Sequence, residues 1–272
     1  MINFIRKESL MKLELYQIDV FTDKTFGGNP AFVVPLVEWL PDDLLLKITK
    51  ENAVSETAFF VYQDDKIHLR WFTPEIEMDL CGHATLATAH CLKSILNYPD
   101  DKIIFETLSG DLTVLVENDL YYLDFPSRMP IASELPEIIK KSLNIQPKEV
   151  HKSRDYLLVY DTEKEIESIK VDSQIFDQIN LAPGGVIVTA KGENCDFVSR
   201  FFTPRASIME DPVTGSAHCS LIPFWSFRLG KDKLNATQIS DRGGKLLCQN
   251  KGDRVIIIGK AKTYSIGSLW TE

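Results

Sequence analysis

RWFTPEIEMDLCGHATLATAHC, residues 70–91, returns in shortened form as RFFTPRASIMEDPVTGSAHC, residues 200–219. Thr73-Pro74 and Thr203-Pro204 stand 130 positions apart, whereas Ala89-His90-Cys91 and Ala217-His218-Cys219 stand 128 apart. One copy has therefore lost two residues between its anchors, as an old tandem duplication would. In each copy an aromatic, β-prone run ends at Thr-Pro, a polar loop follows, and a glycine opens a segment of small and apolar residues. Proline biases its predecessor away from the helical region and cannot donate to a ladder, so the pattern predicts strand, loop, helix. Gly82-His83 and Gly215-Ser216 then fall at helix starts, where unpaired backbone N–H groups and the positive end of the dipole suit an anion. A single glycine of this kind would read as a tight turn. Two at corresponding points of similar halves predict two helix openings facing each other across a cleft.

Length and composition agree with that division. The 272 residues, 44% apolar and 25% charged, are ordinary for a soluble globular protein with a sizeable core. They divide into two halves of about 130 residues each, residues 1–126 and 127–272. A net charge of −9 argues against nucleic acid and acidic membrane surfaces as partners. Cys81, Cys91, Cys195, Cys219 and Cys248 are odd in number and lack any C-x-x-C spacing, so they read as reduced thiols. With no signal segment and no apolar run of spanning length, the expected compartment is the cytoplasm. The first ten residues, MINFIRKESL, are expected to fray, and Met11 is an alternative start.

The runs at 13–21, 31–35, 58–63 and 66–72 alternate as strands do, with Gly27-Gly28-Asn29-Pro30 as a turn that could also admit a ligand to the backbone. The helix from about His83 to Asn97 has alanine or threonine at five of its first seven positions. A helix that is small and apolar on all sides must be enclosed, so the flanking strands are expected to wrap around it. The second half repeats the arrangement around a helix from about Thr214, which Pro223 is expected to kink or end. The last run, TYSIGSLW, is a strand able to pack on the first half. The expected fold is α+β, with two pseudo-symmetric halves, each a β-barrel-like sheet around a central helix, and an active-site cleft between them.

No spacing of His68, His83, His90, His151 and His218 matches a metal-binding motif, and the nucleotide-binding and serine-hydrolase motifs are missing. The polar groups that the repeat brings together are Glu56, His83, Asp211 and Ser216, with Cys81 beside them. Their natural chemistry is proton transfer. A carboxylate that serves as base and then as acid at neutral pH needs a pKa above the free value of about 4.3, which burial in a cleft supplies. Taken singly, each has a plainer reading: a solvated glutamate, a helix-start histidine, an aspartate favoured by the dipole, a buried thiol. His90 and His218 lie two turns into their helices and read as core residues.

NPAFVV after Gly27-Gly28, ENAVSETAFF, RWFTPEIEMDLCGHAT and RFFTPRASIMEDPVTGSAH together resemble the phenazine-biosynthesis PhzF family, a relative of diaminopimelate epimerase and proline racemase. The resemblance spans nearly the whole chain and implies the two-half fold described above. It implies Glu56 as the group that moves a proton between substrate carbons, His83, Asp211 and Ser216 as its catalytic company, and no cofactor or metal. It further implies that the backbone of Gly82-His83 and Gly215-Ser216 holds a substrate carboxylate, with Asn29 and Cys81 at the substrate site. The best-known activity of the family isomerises trans-2,3-dihydro-3-hydroxyanthranilate, and the family resemblance suggests a homodimer. The epimerase relatives use two cysteines, of which Cys81 matches the first, while residues 205–218 offer no second. An isomerase acting on a small carboxylate is the leading expectation. An epimerase or racemase of an amino-acid-like molecule using Cys81, or a non-catalytic binding protein, are the alternatives.

Overall fold

The structure, a computed structural model, describes residues 10–271, so the expected fraying of the first residues falls, apart from Leu10, outside the described range. The first half comprises β1 (Met11–Val20), β2 (Asn29–Leu36), α1 (Asp42–Asn52), β3 (Glu56–Gln63), β4 (Lys66–Phe72), β5 (Glu77–Met78), α2 (Gly82–His90), β6 (Lys102–Thr107), β7 (Gly110–Glu117) and β8 (Leu120–Pro126). The second comprises β9 (Ile131–Ala132), α3 (Glu137–Ser142), β10 (Glu149–Lys152), β11 (Tyr156–Val159), α4 (Glu163–Ser168), α5 (Ser173–Phe176), β12 (Val186–Lys191) and β13 (Phe197–Phe202). It continues with α6 (Gly215–Leu229), β14 (Lys233–Gln238), β15 (Gly244–Asn250), β16 (Arg254–Gly259) and β17 (Ala261–Thr271).

The duplication is visible in the ladders. In the first half β1–β2 is antiparallel, β2–β3 parallel, β3–β4 antiparallel, β4–β6 parallel, and β6–β7 and β7–β8 antiparallel. The series β10 to β16 repeats those directions strand for strand. β8 and β16, the last members of the two series, pair antiparallel and fuse the sheets. The leftover strands then trade places. β9 follows β8 but pairs with β10, and β17 follows β16 but pairs with β1 along its whole length.

Each sheet curls around its own helix. Every residue of α2 is buried, and so are eleven of the fifteen residues of α6, which is why the seam-facing positions are glycine, alanine, serine and threonine. A continuous apolar core unites both helices with the inner sheet faces, while α1 covers the outer face of the first sheet and α3 to α5 that of the second. Inside, His218 is fully buried with Nδ1 at 2.8 Å from the Thr214 carbonyl oxygen. His90 lies between Tyr121 Oη and Thr263 Oγ1, at 2.9 Å from each. Both are core histidines.

Two local expectations need correction. The first helix does not run as one α-helix to Asn97, because it widens into a π-helical turn over Cys91–Ile95. Pro223 neither ends α6 nor shortens it. Proline removes the N–H that would serve the carbonyl four residues earlier. That carbonyl, on Cys219, instead accepts the Arg128 N–H at 2.9 Å, so the helix continues to Leu229. Among the described residues no helix is long and apolar enough to cross a membrane.

The halves are locked by the loop between β1 and β2. Gly28 has φ +65°, and a Cβ there would lie 2.0 Å from the Val20 carbonyl oxygen, so only glycine fits. Its N–H donates to the Gly243 carbonyl at 2.8 Å. Arg242, on the β14–β15 turn, donates to the Gly28 carbonyl (2.8 Å), the Gly27 carbonyl (3.1 Å) and the Asp19 carboxylate (2.8 Å). Asp19 is almost fully buried, and burial raises its pKa against the opposing pull of the Phe26 N–H and Arg242. Arg242→Ala would strand that carboxylate. Because Arg242 is itself one-third exposed, the expected loss is about 2–4 kcal/mol in chemical denaturation, below the full effect of a deeply buried pair. A loss under 1 kcal/mol would show that the clamp matters little.

Candidate active site

The two central helices meet at their N-termini. A Cβ on Gly82 would stand 3.2 Å from the Gly215 Cα, and one on Gly215 would stand 3.2 Å from the Gly82 Cα. Larger residues would force the helices apart. Their N-caps, Cys81 and Thr214, are extended, and neither makes a side-chain capping bond. By contrast Thr162 and Asp172 cap α4 and α5. Two uncapped positive helix ends face one another, an arrangement that repels itself and is relieved by a negative group set between them.

Two loops roof this meeting point. Thr73–Glu77 and Thr203–Glu210 are the polar stretches of the sequence repeat, and each is tied down by the arginine that opens its copy. Arg70 makes a two-armed pair with Glu77 at 2.7 Å on both arms, and Arg200 does the same with Glu210 at 2.7 and 2.8 Å. The loops touch where Ser207 Oγ donates to Glu75 Oε1 at 2.8 Å. Beneath them lies a cleft of about 230 Å³. For scale, a cavity of about 150 Å³ admits benzene, so one ring with its substituents fits. Ile76, Met78, Leu80, Phe201 and Ile208 give it apolar walls, and Glu56, His83, Asp211 and Ser216 supply polar groups.

Glu56, the first residue of β3, has a side chain only 15% exposed, and its Oε2 lies 3.2 Å from His83 Nε2. The angles do not make this a hydrogen bond, so both atoms are buried without a partner. Burial first, then the charges of Asp211 and Glu75, push Glu56 well above the usual carboxylate range. Burial lowers His83, against the opposing influence of Asp211. Burial thus favours the neutral form of each, an acid and an imidazole placed to exchange protons with a third party. Asp211 is held in place: Oδ1 accepts from Asn29 Nδ2 (2.7 Å) and Ser55 Oγ (3.3 Å), and Oδ2 accepts from Thr214 Oγ1 (2.5 Å).

Of the residues named from sequence, Glu56, Cys81, Gly82, His83, Asp211, Gly215 and Ser216 line the cleft together. Asn29 does not. It is fully buried behind Asp211, where its amide also donates to the Val213 carbonyl at 2.9 Å, so it positions the site rather than lining it. Cys81 Sγ stands 3.6 Å from His83 Nδ1, and burial, helped by the charge of Glu56, raises its pKa well above the ordinary thiol value. Glu56, Cys81 and His83 also bring ligand atoms within 4.8 Å of one another, a set able to take a soft divalent ion. Local spacing could not reveal it, because Glu56 arrives from another strand. Arg154, Thr214 and Glu75 were missed altogether. The adjacent charged pair Arg154-Asp155 in a short turn before an apolar strand is the signal that was available.

The ladders also show what faces Glu56 across the pseudo-symmetry. Thr57 pairs with Phe72 and Val186 with Phe202, the corresponding phenylalanines of the repeat. Glu56 therefore corresponds to Gly185, where a Cβ would meet Phe201 Cζ and the Phe202 carbonyl oxygen at 2.6 Å each. Cys81 corresponds in the same way to Thr214. Neither Glu56 nor Cys81 has a mirror partner of its own kind.

The profile of the phenazine biosynthesis-like proteins matches residues 18–267. The chain belongs to that family. A Pseudomonas aeruginosa protein described as an uncharacterized isomerase is 47% identical over 260 residues, covering 95% of this chain and 99% of its own length. The human phenazine biosynthesis-like domain-containing protein is 37% identical over 286 residues, covering 95% and 99%. The crystal structure of a PhzF-family protein from Enterococcus faecalis is 43% identical, covers 96% of this chain and all of its own, and superposes with a TM-score of 0.90. At 11% identity and a TM-score of 0.56, a hydroxyproline epimerase from Agrobacterium vitis shares the fold over 95% of this chain and 92% of its own. The chain is an isomerase of this family, and its α+β fold of two pseudo-symmetric halves is the family's fold.

Two outcomes follow from the geometry. Gly215→Ala should spread the helix ends by a few tenths of an ångström, weakening retention of small carboxylates in a binding titration while the protein stays folded. Unchanged affinity would mean that the approach of the helices is not used. Glu56→Gln should change the dependence of stability on pH. A raised folded-state pKa gives a contribution that is complete below the unfolded value of about 4.3 and is lost as pH rises through the folded value. Glutamine carries no charge at any pH. The melting temperature of the variant should thus match that of the parent near pH 4 and exceed it at neutral pH, as read by calorimetry.

Proposed function

We propose that this isomerase moves a proton between two carbons of a small, ring-sized unsaturated carboxylate, with Glu56 as both base and acid. The observation that carries the reading is the solitary position of Glu56: its counterpart, Gly185, has no room for a side chain. A stereoinverting racemase needs a donor on one face and an acceptor on the other. A single acid can instead take a proton and return it further along the same face.

In the proposed reaction the abutting ends of α2 and α6 hold the substrate carboxylate through the backbone N–H groups at Gly82-His83 and Gly215-Ser216. Glu56, as carboxylate, removes a proton from a carbon next to the double bond. The C–H electron pair enters the π system, and the far end of that system takes the proton back from the newly formed carboxylic acid. Atoms and electrons balance with no external oxidant or reductant. The raised pKa makes the Glu56 carboxylate a stronger base than a free one, and its acid form can return the proton. His83, 3.2 Å away, responds to the changing charge, and Asp211 sets the electrostatic level of both. The thiol of Cys81, whose pKa burial raises and whose counterpart is Thr214 rather than a second cysteine, suits a wall of the site better than a base.

The test is exchange in deuterated water with a panel of cyclic unsaturated acids and amino acids. Deuterium should appear on a substrate carbon. Glu56→Gln should lower the rate by at least about 10²–10⁴-fold, and Cys81→Ala should leave most of it. The opposite ranking would assign the chemistry to the thiol and make the protein an epimerase. A melting temperature that rises with ligand, without any exchange, would mark a binding protein.

A further inference from the structure

Arg154 differs from the two arginines that tie down the roof loops. Arg70 and Arg200 are each neutralised by a glutamate at 2.7–2.8 Å through two arms. Arg154, in the turn between β10 and β11, has a side chain only 16% exposed and lines the cleft. Its neighbour Asp155 approaches no closer than 3.4 Å, longer than the 2.7–2.9 Å of a strong charged pair. The Asp155 carboxylate is turned to the Gly185 N–H, at 2.9 Å. Arg154 Nη2 instead donates to Ser216 Oγ at 2.8 Å, and Nη1 is buried with no partner at all. Ser216 is the second residue of α6, so the guanidinium is tied to the very helix end that meets α2.

A buried cation whose acidic neighbour Asp155 stays at 3.4 Å and also serves the Gly185 N–H, and whose Nη1 is unpaired, leaves room for a closer anion. The other acids of the cleft are placed elsewhere: Glu56 lies beside His83, Asp211 is engaged by Asn29, Ser55 and Thr214, and Glu75 by Ser207. We infer that Arg154 is a substrate-recognition residue, whose guanidinium, steadied by Ser216 at the start of α6, selects ligands that carry an acid group over their neutral analogues. Helix ends alone supply partial charges that also accept an amide or ester oxygen. A full positive charge beside them discriminates. This rests on the proposed carboxylate site and adds the residue that makes it specific for acids.

The experiment compares equilibrium binding of three acids, anthranilate, benzoate and trans-4-hydroxy-L-proline, with binding of their primary amides. Calorimetry follows the parent, Arg154→Met, Arg154→Lys and Glu56→Gln proteins, each first checked for folding by its melting curve. The parent should favour at least one acid over its amide by about 10–100-fold. Arg154→Met should remove that ratio while amide binding persists, and Arg154→Lys should restore part of it. Glu56→Gln should keep the ratio while losing proton exchange, which separates failure of this inference from failure of the proposed chemistry. A parent that favours none of the three acids, or an Arg154→Met protein that keeps the full ratio, overturns it.

Discussion

The contact between Gly82 and Gly215 governs the rest of the molecule. Two helices can meet end to end at this distance only if their first residues lack side chains, and only if the surrounding turns of each helix are small enough for a sheet to close around it. The alanine-rich face of α2 and the serine-rich start of α6 follow from that requirement. The cost is electrostatic, since two positive helix ends confront one another. The roof loops, the arginine ties beneath them and the loop carrying Gly28 all hold the halves in this confrontation, and the cleft exists because they do.

Duplication supplied two equivalent halves, and the site departs from that equivalence at the places where chemistry is expected. Glutamate stands opposite glycine, cysteine opposite threonine, histidine opposite serine. One half contributes Glu56, Cys81 and His83. The other contributes Asp211 and Arg154 with the hydroxyls that hold them: Thr214 against Asp211, Ser216 against Arg154. Enclosure by apolar walls raises Glu56 and lowers His83 for the same physical reason, the loss of water around a charge.

Much of this was legible in the sequence because the repeat is a record of position. Aligning Thr-Pro with Thr-Pro places both helix starts to within a residue, with His83 and Ser216 at them and Asp211 just ahead of the second, whereas Glu56, outside the repeat, is marked by the family resemblance. What was hidden depends on distant partners. Nothing near Pro223 announces that Arg128 will serve the orphaned carbonyl of Cys219. Asn29 reads equally well as a ligand contact or as a brace, and only its two bonds to the 211–213 segment decide. Arg154 sits in a short turn whose length gives no hint of α6 beside it. The partner of the last strand was open for the same reason, since several sheet edges offer a similar alternation.

That last strand has a bearing on how the protein is made. β17 pairs with β1 over residues more than 240 positions apart, so the sheet that encloses α2 is finished only by a strand that follows the whole second half. Until then β1 presents a bare edge, the kind of surface on which nascent chains pair wrongly with one another. The first half, although it holds Glu56 and His83, is therefore an unfinished vessel until β17 arrives, which ties its assembly to that of the second half.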